Sequence, residues 1–174
     1  SSSPIKRTPL SPPHLVNISV GVPGGGVSTS TDYGSTWANL IHGHTRVGVS
    51  SIVVHPTAAT TIYCANGDID GGHAPGYGVW RTTDGGANWA AWNTGMGNHT
   101  VYEILMDPTN SNIMIASTLN QIFRSTDGGA TWVQTYGGGE NFNDIAFKPG
   151  DPNNGYAASN DLYRSADHGV NPGQ

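Results

Sequence analysis

Ser125-Thr126-Asp127-Gly128-Gly129-Ala130-Thr131-Trp132 is one of four versions of a single phrase in this chain. Thr82-Thr83-Asp84-Gly85-Gly86-Ala87-Asn88-Trp89 and Ser30-Thr31-Asp32-Tyr33-Gly34-Ser35-Thr36-Trp37 precede it, and a shortened copy, Ser165-Ala166-Asp167-His168-Gly169, follows. The anchor aspartates Asp32, Asp84, Asp127 and Asp167 stand 52, 43 and 40 residues apart. A period of this size is the length of a four-stranded antiparallel propeller blade, so the repeat predicts an all-β chain.

The segments between the boxes align as well. Ile52-Val53-Val54-His55-Pro56, Ile104-Leu105-Met106-Asp107-Pro108 and Ile145-Ala146-Phe147-Lys148-Pro149 each read as a first strand, A, stopped by a proline that cannot continue a ladder. Thr61 to Ala65, Ile113 to Ser117 and Gly155 to Ser159 read as strand B, and Gly78 to Arg81, Gln121 to Arg124 and Asp161 to Arg164 as strand C. Strand D is expected to begin at the box tryptophan. All are short, β-branched or aromatic, and separated by glycine-rich turns. The first copy has room only for B, C and D, with Leu15 to Val20 as B, and the last ends after C. The expected blades are roughly 14–40, 47–93, 101–136 and an incomplete 142–174, about three and a half in all. Closed propellers have at least four blades. The count therefore predicts a segment of a larger propeller, or an open stack whose edge strands are sealed by a partner.

The box has a physical logic of its own. Gly34, Gly86, Gly129 and Gly169 recur where a tight C-to-D reversal needs positive φ. Each aspartate can accept backbone N–H bonds inside the turn, and the Ser or Thr two residues earlier can add another. Trp37, Trp89 and Trp132 open strand D and offer large apolar area to a neighbouring blade. Repetition marks these as structural residues.

Composition limits the functional classes. The 174 residues carry a net charge of -5, with only seven Lys and Arg, so the electrostatic footprint of a nucleic-acid binder is missing. The one cysteine, Cys64, lies in an apolar run and reads as a small buried hydrophobe. No apolar run is long enough to span a membrane as a helix, and the first residues lack a signal-peptide layout. Residues 1–13, rich in Ser and Pro, read as an extended linker or edge segment. No Gly-x-Ser-x-Gly elbow, P-loop or dinucleotide fingerprint occurs.

With its Ser/Thr-x-Asp-x-Gly-x-Thr-Trp boxes, the chain from about His14 to Gly169 resembles the Asp-box (BNR) repeat family of β-propellers. That family includes sialidases, xyloglucan-active glycoside hydrolases, sortilin-like receptors and a photosystem assembly factor. The stretch Gly67-Asp68-Ile69-Asp70-Gly71-Gly72 with the box that follows looks most like secreted bacterial proteins, including type IX secretion cargo. The resemblance implies a secreted or cell-surface setting, and it implies that the box is a scaffold turn away from the functional face.

Strands alternate in direction, so A–B and C–D turns share one end of each blade, and B–C and D–A loops share the other. The boxes occupy the first end. At the second end the units differ: strand-A proline to box aspartate spans 28 residues from Pro56 to Asp84, but 19 from Pro108 to Asp127 and 18 from Pro149 to Asp167. The second unit thus carries an insertion within Asn66 to Tyr77, containing Asp68, Asp70, His73 and Tyr77. His42, His44, Met96, Asn98, His99, Glu140 and Asn141 are expected on D–A loops at the same end.

This surface supports three chemistries. A non-catalytic binding or structural module, meeting carbohydrate or protein through Asp68, Asp70, His73, Tyr77, His99, His42 and His44, leads, because no catalytic set is recognisable. A glycoside hydrolase of xyloglucanase type is the alternative, with Asp68 or Asp70 paired to Glu140 as the two carboxylates such chemistry needs. A calcium ion on Asp68 and Asp70 is the third, although the remaining ligands of a calcium loop are absent and an Asp-Gly turn explains the pattern without metal. Arg81, Arg124 and Arg164 each precede a box aspartate by three residues. Repeat equivalence spreads them over successive blades, where they cannot converge on one ligand as a sialidase triad does. Pairing with another chain through open blade edges is the expectation from a third class.

Overall fold

The computed structural model describes residues 18–22, 26–40, 48–67 and 76–169. These form fourteen strands in four antiparallel sheets. The first sheet joins β1 (Ile18–Val22), β2 (Gly26–Ser30) and β3 (Ala38–Asn39). β4 (Val49–Val54), β5 (Ile62–Asn66), β6 (Gly78–Thr82) and β7 (Ala90–Ala91) form the second. The third consists of β8 (Val101–Met106), β9 (Met114–Thr118), β10 (Ile122–Ser125) and β11 (Val133–Tyr136). β12 (Asp144–Lys148), β13 (Asp151–Ala158) and β14 (Leu162–Ser165) complete the fourth. Two four-stranded blades are thus flanked by a B-C-D blade and an A-B-C blade, a partial β-propeller.

Sequence and structure differ at the ends of five strands. β1 extends to Val22, while Leu15, Val16 and Asn17 lie outside the described residues. The D strands begin one residue after each tryptophan, because the indole-bearing residue still belongs to the turn. β13 starts at Asp151 rather than Gly155, since a register shift at Phe147/Lys148 absorbs extra residues and lets the chain stay paired. The segment 1–13 lies outside the described residues.

The core is laid down as slabs between blades. Val27, Val49 and Cys64 fill the first junction, with Leu40, Ile52, Trp80 and Trp89 against them. Tyr63, Ala65, Val79, Met96, Val101, Ile104, Met114, Ala116, Phe123 and Trp132 fill the second. Ile115, Ile122, Phe142, Ile145, Ala157 and Tyr163 fill the third. Successive residues of a strand face opposite sides. In β5, Tyr63 and Ala65 therefore enter the second slab while Cys64 enters the first, and in β9, Met114 and Ala116 enter the second while Ile115 enters the third. Both strands are buried along their whole length, which explains why their sequences are apolar runs rather than alternations. Burial pushes the Cys64 thiol up to about 12, so it is an inert core residue as its setting in the sequence suggests.

The boxes repeat one hydrogen-bond scheme. In the third, Ser125 Oγ donates to Asp127 Oδ1 at 2.8 Å and accepts from Gly129 N at 2.8 Å, while Thr131 N and Oγ1 donate to Asp127 Oδ1 and Oδ2 at 2.8 and 2.6 Å. Ser30, Asp32, Gly34 and Thr36 copy it, as do Thr82, Asp84, Gly86 and Asn88. Ser165, Asp167 and Gly169 retain the first half. The glycines sit at φ 86°, 98°, 82° and 79°. Tyr33 and His168, at φ 59° and 55°, hold a left-handed position that the two middle boxes give to glycine.

Bonds from Thr36 and from Asn88 lower Asp32 and Asp84 to about 2, from an ordinary 3.8. For Asp127, burial pushes upward, but the Thr131 and Ser125 bonds outweigh it and the carboxyl stays below its usual range. A depressed folded-state pKa stabilises the fold above the unfolded value and loses that contribution as pH falls through the folded one. Stability is therefore expected to decline between 3.8 and about 2, followed by tryptophan fluorescence in acid titration. The Asp84→Asn variant should show a shallower decline; a slope identical to that of the parent would show that the box carboxylates do not govern it.

Junctions are built from box to preceding blade. A Cβ on Gly86 would meet Leu40, one on Gly129 would meet Trp92, and one on Gly169 would meet Ile115. The box tryptophans follow the same rule. Trp132 is 2% exposed and donates Nε1–H to Trp92 O at 2.9 Å, Trp89 is half-buried against the first blade, but Trp37 is 47% exposed. The burial expected of Trp37 is not realised, because no blade precedes it among the described residues.

Candidate functional site

Inner A strands of neighbouring blades lie side by side, β4 with β8 and β8 with β12, and β1, the B strand of the first blade, lies against β4. They are stitched by a bond that recurs at equivalent positions: Ile104 N donates to Ser51 Oγ at 3.2 Å, and Ile145 N donates to Glu103 Oε2 at 2.9 Å. Asp144 holds the same position in the fourth blade, immediately before Ile145. Burial pushes the Glu103 carboxyl above its ordinary range against the lowering effect of the Ile145 N–H, and the Asp144 charge adds to the rise. Glu103 and Asp144 are thus neighbouring carboxylates near the loop end of the inner strands. The sequence reading missed them, although their signal was present: each directly precedes the aligned isoleucine of strand A.

At that end the roots of the insertion are well defined. Gly67 N donates to Gly48 O at 3.2 Å and Gly78 N donates to His99 O at 3.0 Å. A Cβ on Gly76 would lie 2.1 Å from Thr100 N, and one on Gly67 2.6 Å from Thr100 Cγ2. Both limbs therefore press on the start of β8, and glycine is what permits the approach. Asp68, Asp70 and His73, together with His42 and His44, lie outside the described residues.

Tyr77 and His99 flank the insertion. The Tyr77 carbonyl accepts from Trp80 Nε1 at 3.1 Å and Asn93 Nδ2 at 3.2 Å, so its backbone is fixed while its side chain is 38% exposed. His99 is exposed, with its ring centroid 5.5 Å from that of the buried Phe123. Asn98 Oδ1 accepts from Asn93 Nδ2 at 3.3 Å, which orders the turn between them. Met96, expected among the loop residues, is instead 3% exposed and belongs to the second slab. Its turn folds inward because Met96 N and Gly97 N both bond Asn93 O.

Glu140 stands one junction further along. Its Oε2 accepts from Ser159 Oγ, tying the D–A loop after the third blade to the B–C loop of the fourth. Asn141 is exposed beside it. The arginines of strand C are dispersed as repeat equivalence requires: Arg124 Nε donates to His168 O at 2.9 Å, Arg164 bonds Asn154 Oδ1, and Arg81 lies over the Trp92 and Tyr63 rings. Among the described residues, no group of three or more His, Cys, Asp or Glu is arranged to hold a metal ion. No helix among them is long and apolar enough to cross a membrane.

No family profile and no curated protein matches the sequence. Solved structures do. An ancestral GH74 enzyme matches with a TM-score of 0.73 at 23% identity, over 90% of this chain and 22% of that one. The GH74 xyloglucanase of Xanthomonas campestris matches with a TM-score of 0.71 at 17% identity, over 88% of this chain and 26% of that one. The extracellular domain of a one-component system from B. thetaiotaomicron matches with a TM-score of 0.61 at 12% identity, over 86% and 20%. The chain spans about a quarter of the length of these proteins or less. At such identities the likeness establishes the β-propeller fold.

Proposed function

We propose that this chain is a non-catalytic binding module of a secreted or cell-surface protein, and that the B–C and D–A loop end meets carbohydrate or protein. Its four turns read as Asp-boxes of the BNR type, since each repeats the Ser/Thr-to-Asp-to-Gly hydrogen bonds of the others. The observation that carries the reading is the insertion. It rises from Gly67 and Gly76 at the end where Tyr77 and His99 are exposed, opposite the boxes whose polar atoms are already committed to scaffolding. An aromatic ring on a fixed backbone with amide and imidazole groups around it suits a polar, ring-bearing ligand.

The fold likeness to xyloglucanases and the Glu103 and Asp144 carboxylates favour one second reading, a fragment of a glycoside hydrolase. Two carboxylates side by side are what such hydrolysis needs, and Asp68, Asp70 and Glu140 are further candidates. A glycan array and a panel of polysaccharides distinguish the two. Binding without product, weakened by about tenfold in Tyr77→Ala as expected for loss of a stacking aromatic, supports the module. Steady release of reducing ends, abolished by Asp68→Asn or Asp70→Asn, overturns it. Calcium included in one arm of the array shows whether the insertion uses the ion.

A further inference from the structure

The second and third junctions are built alike but closed differently. At the third, His168 at φ 55° sends its imidazole back to the preceding blade, where Nε2 lies 3.4 Å from Asp107 Oδ2, and its carbonyl accepts Arg124 Nε at 2.9 Å. The box carbonyl thus receives the arginine of the preceding blade. At the second, repeat equivalence puts Gly128 in the place of His168, His55 in that of Asp107 and Arg81 in that of Arg124.

Gly128 has no side chain to fill the gap, and a cavity of about 210 Å³ remains, whose lining includes His55, Thr61, Tyr63, Arg81, Ser111 and Asn112 as well as Trp92 and Asp127. A Cβ on Gly128 would lie 3.8 Å from the Tyr63 hydroxyl and 3.9 Å from Ser111 O, at ordinary contact distance. The carbonyl that should receive the arginine is taken: Trp92 Nε1 donates to Gly128 O at 3.0 Å. Thr135 holds the position of Trp92 in the next blade, so the displacement is particular to this junction. Arg81 is left with its guanidinium carbon 4.6 Å from the centroid of the Trp92 ring and 5.7 Å from that of Tyr63, and its buried Nε has no acceptor.

A guanidinium held by two rings is positioned with part of its hydrogen-bonding capacity left over: Arg81 bonds the Tyr63 hydroxyl, and its Nε has no acceptor. Asp127 contributes a negative charge to the lining, but both of its oxygens are already bonded within the box, by Thr131 and Ser125. Thr57 N donates to His55 Nδ1 at 3.3 Å, which leaves Nε2 as the donor nitrogen of the neutral ring. The walls thus combine a cation and donors with the hydroxyl groups of Thr61, Tyr63 and Ser111. The space is large enough for several waters, and hence for one small ring.

We propose that this cavity, at the box end and separate from the loop surface described above, binds a small carboxylate-bearing ring compound of the uronic-acid class, with the carboxylate on Arg81. Carboxylate fits because planar, forked recognition is what a guanidinium offers best. A uronate adds hydroxyls for Asn112, Ser111 and Thr61.

The test titrates the full chain with D-glucuronate and, separately, D-glucose, following the Trp92 indole N–H by NMR. A saturable shift with glucuronate and a much weaker one with glucose is expected. Arg81→Gln should weaken glucuronate by about tenfold or more, the usual size of a lost charged hydrogen bond. Gly128→His, which copies the third junction, should abolish binding. No saturable shift, equal responses to the two sugars, or a response unchanged in Arg81→Gln would each overturn the proposal. If Arg81→Gln does not fold, Ser111→Phe obstructs the cavity from the facing wall, and binding that survived it would be equally decisive.

Discussion

Trp132→Ala is expected to destabilise the chain by about 3–5 kcal/mol, the usual range for deleting a buried tryptophan, whereas the same change at Trp37 should stay within about 1 kcal/mol. The two residues hold the same place in their boxes. Trp132 is 2% exposed, lies in the slab with Met96, Met114 and Phe123, and bonds Trp92 O, while Trp132 N donates to Thr94 O at 2.8 Å. Removing its indole opens a cavity in the slab that joins the two blades and takes away the Trp132–Trp92 bond between them. Among the described residues, the Trp37 indole bonds only Gly34 O in its own turn, at 3.1 Å, and Trp37 is 47% exposed. For a chain of this size the Trp132 variant should melt on the order of 10 °C lower, measured by thermal or denaturant unfolding. Equal losses at both positions would show that something covers Trp37 in solution. In that case the first blade meets a partner or further blades, and Trp37→Ala should also disrupt that association in sedimentation measurements.

Ser125→Ala should cost about 1–3 kcal/mol, the penalty for a buried donor left without an acceptor. Ser125 is 1% exposed, and its hydroxyl accepts from Gly129 N while donating to Asp127. Gly129 is wedged between Trp92, Met114 and Trp132, so its N–H has no water to turn to once the hydroxyl is gone. Ser125→Thr keeps the hydroxyl, as Thr82 shows in the second box, and should recover most of the loss. Chemical denaturation of the three proteins checks this: a midpoint for Ser125→Ala equal to the parent's would mean that the turn is held by its backbone alone.

The loop end shows where sequence and structure part company. Tyr77, His99 and Glu140 are side chains on turns whose positions follow from counting residues between boxes, and the structure describes them on loops of that end. Met96 misled because it lies in a glycine-rich turn that looks solvated, and only Asn93 capping that turn sends the side chain into the core. Glu103 and Asp144 escaped notice because nothing local distinguishes them. Their proximity comes from two A strands, far apart in sequence, lying beside one another.

What the sequence by itself determined is everything governed by the local turn and the repeat: the all-β class, the number and order of strands, and the box glycines at positive φ. It also anticipated the turn hydrogen bonds of Asp32, Asp84, Asp127 and Asp167, because bonds spanning two to four residues are written into the order of side chains. What only the tertiary structure decided is how each junction closes. Three equivalent tryptophans range from buried to half exposed, and three equivalent arginines have three different partners. The reason is physical: a blade buries its faces against other blades, so the fate of a repeated residue depends on the neighbour that its own repeat does not contain.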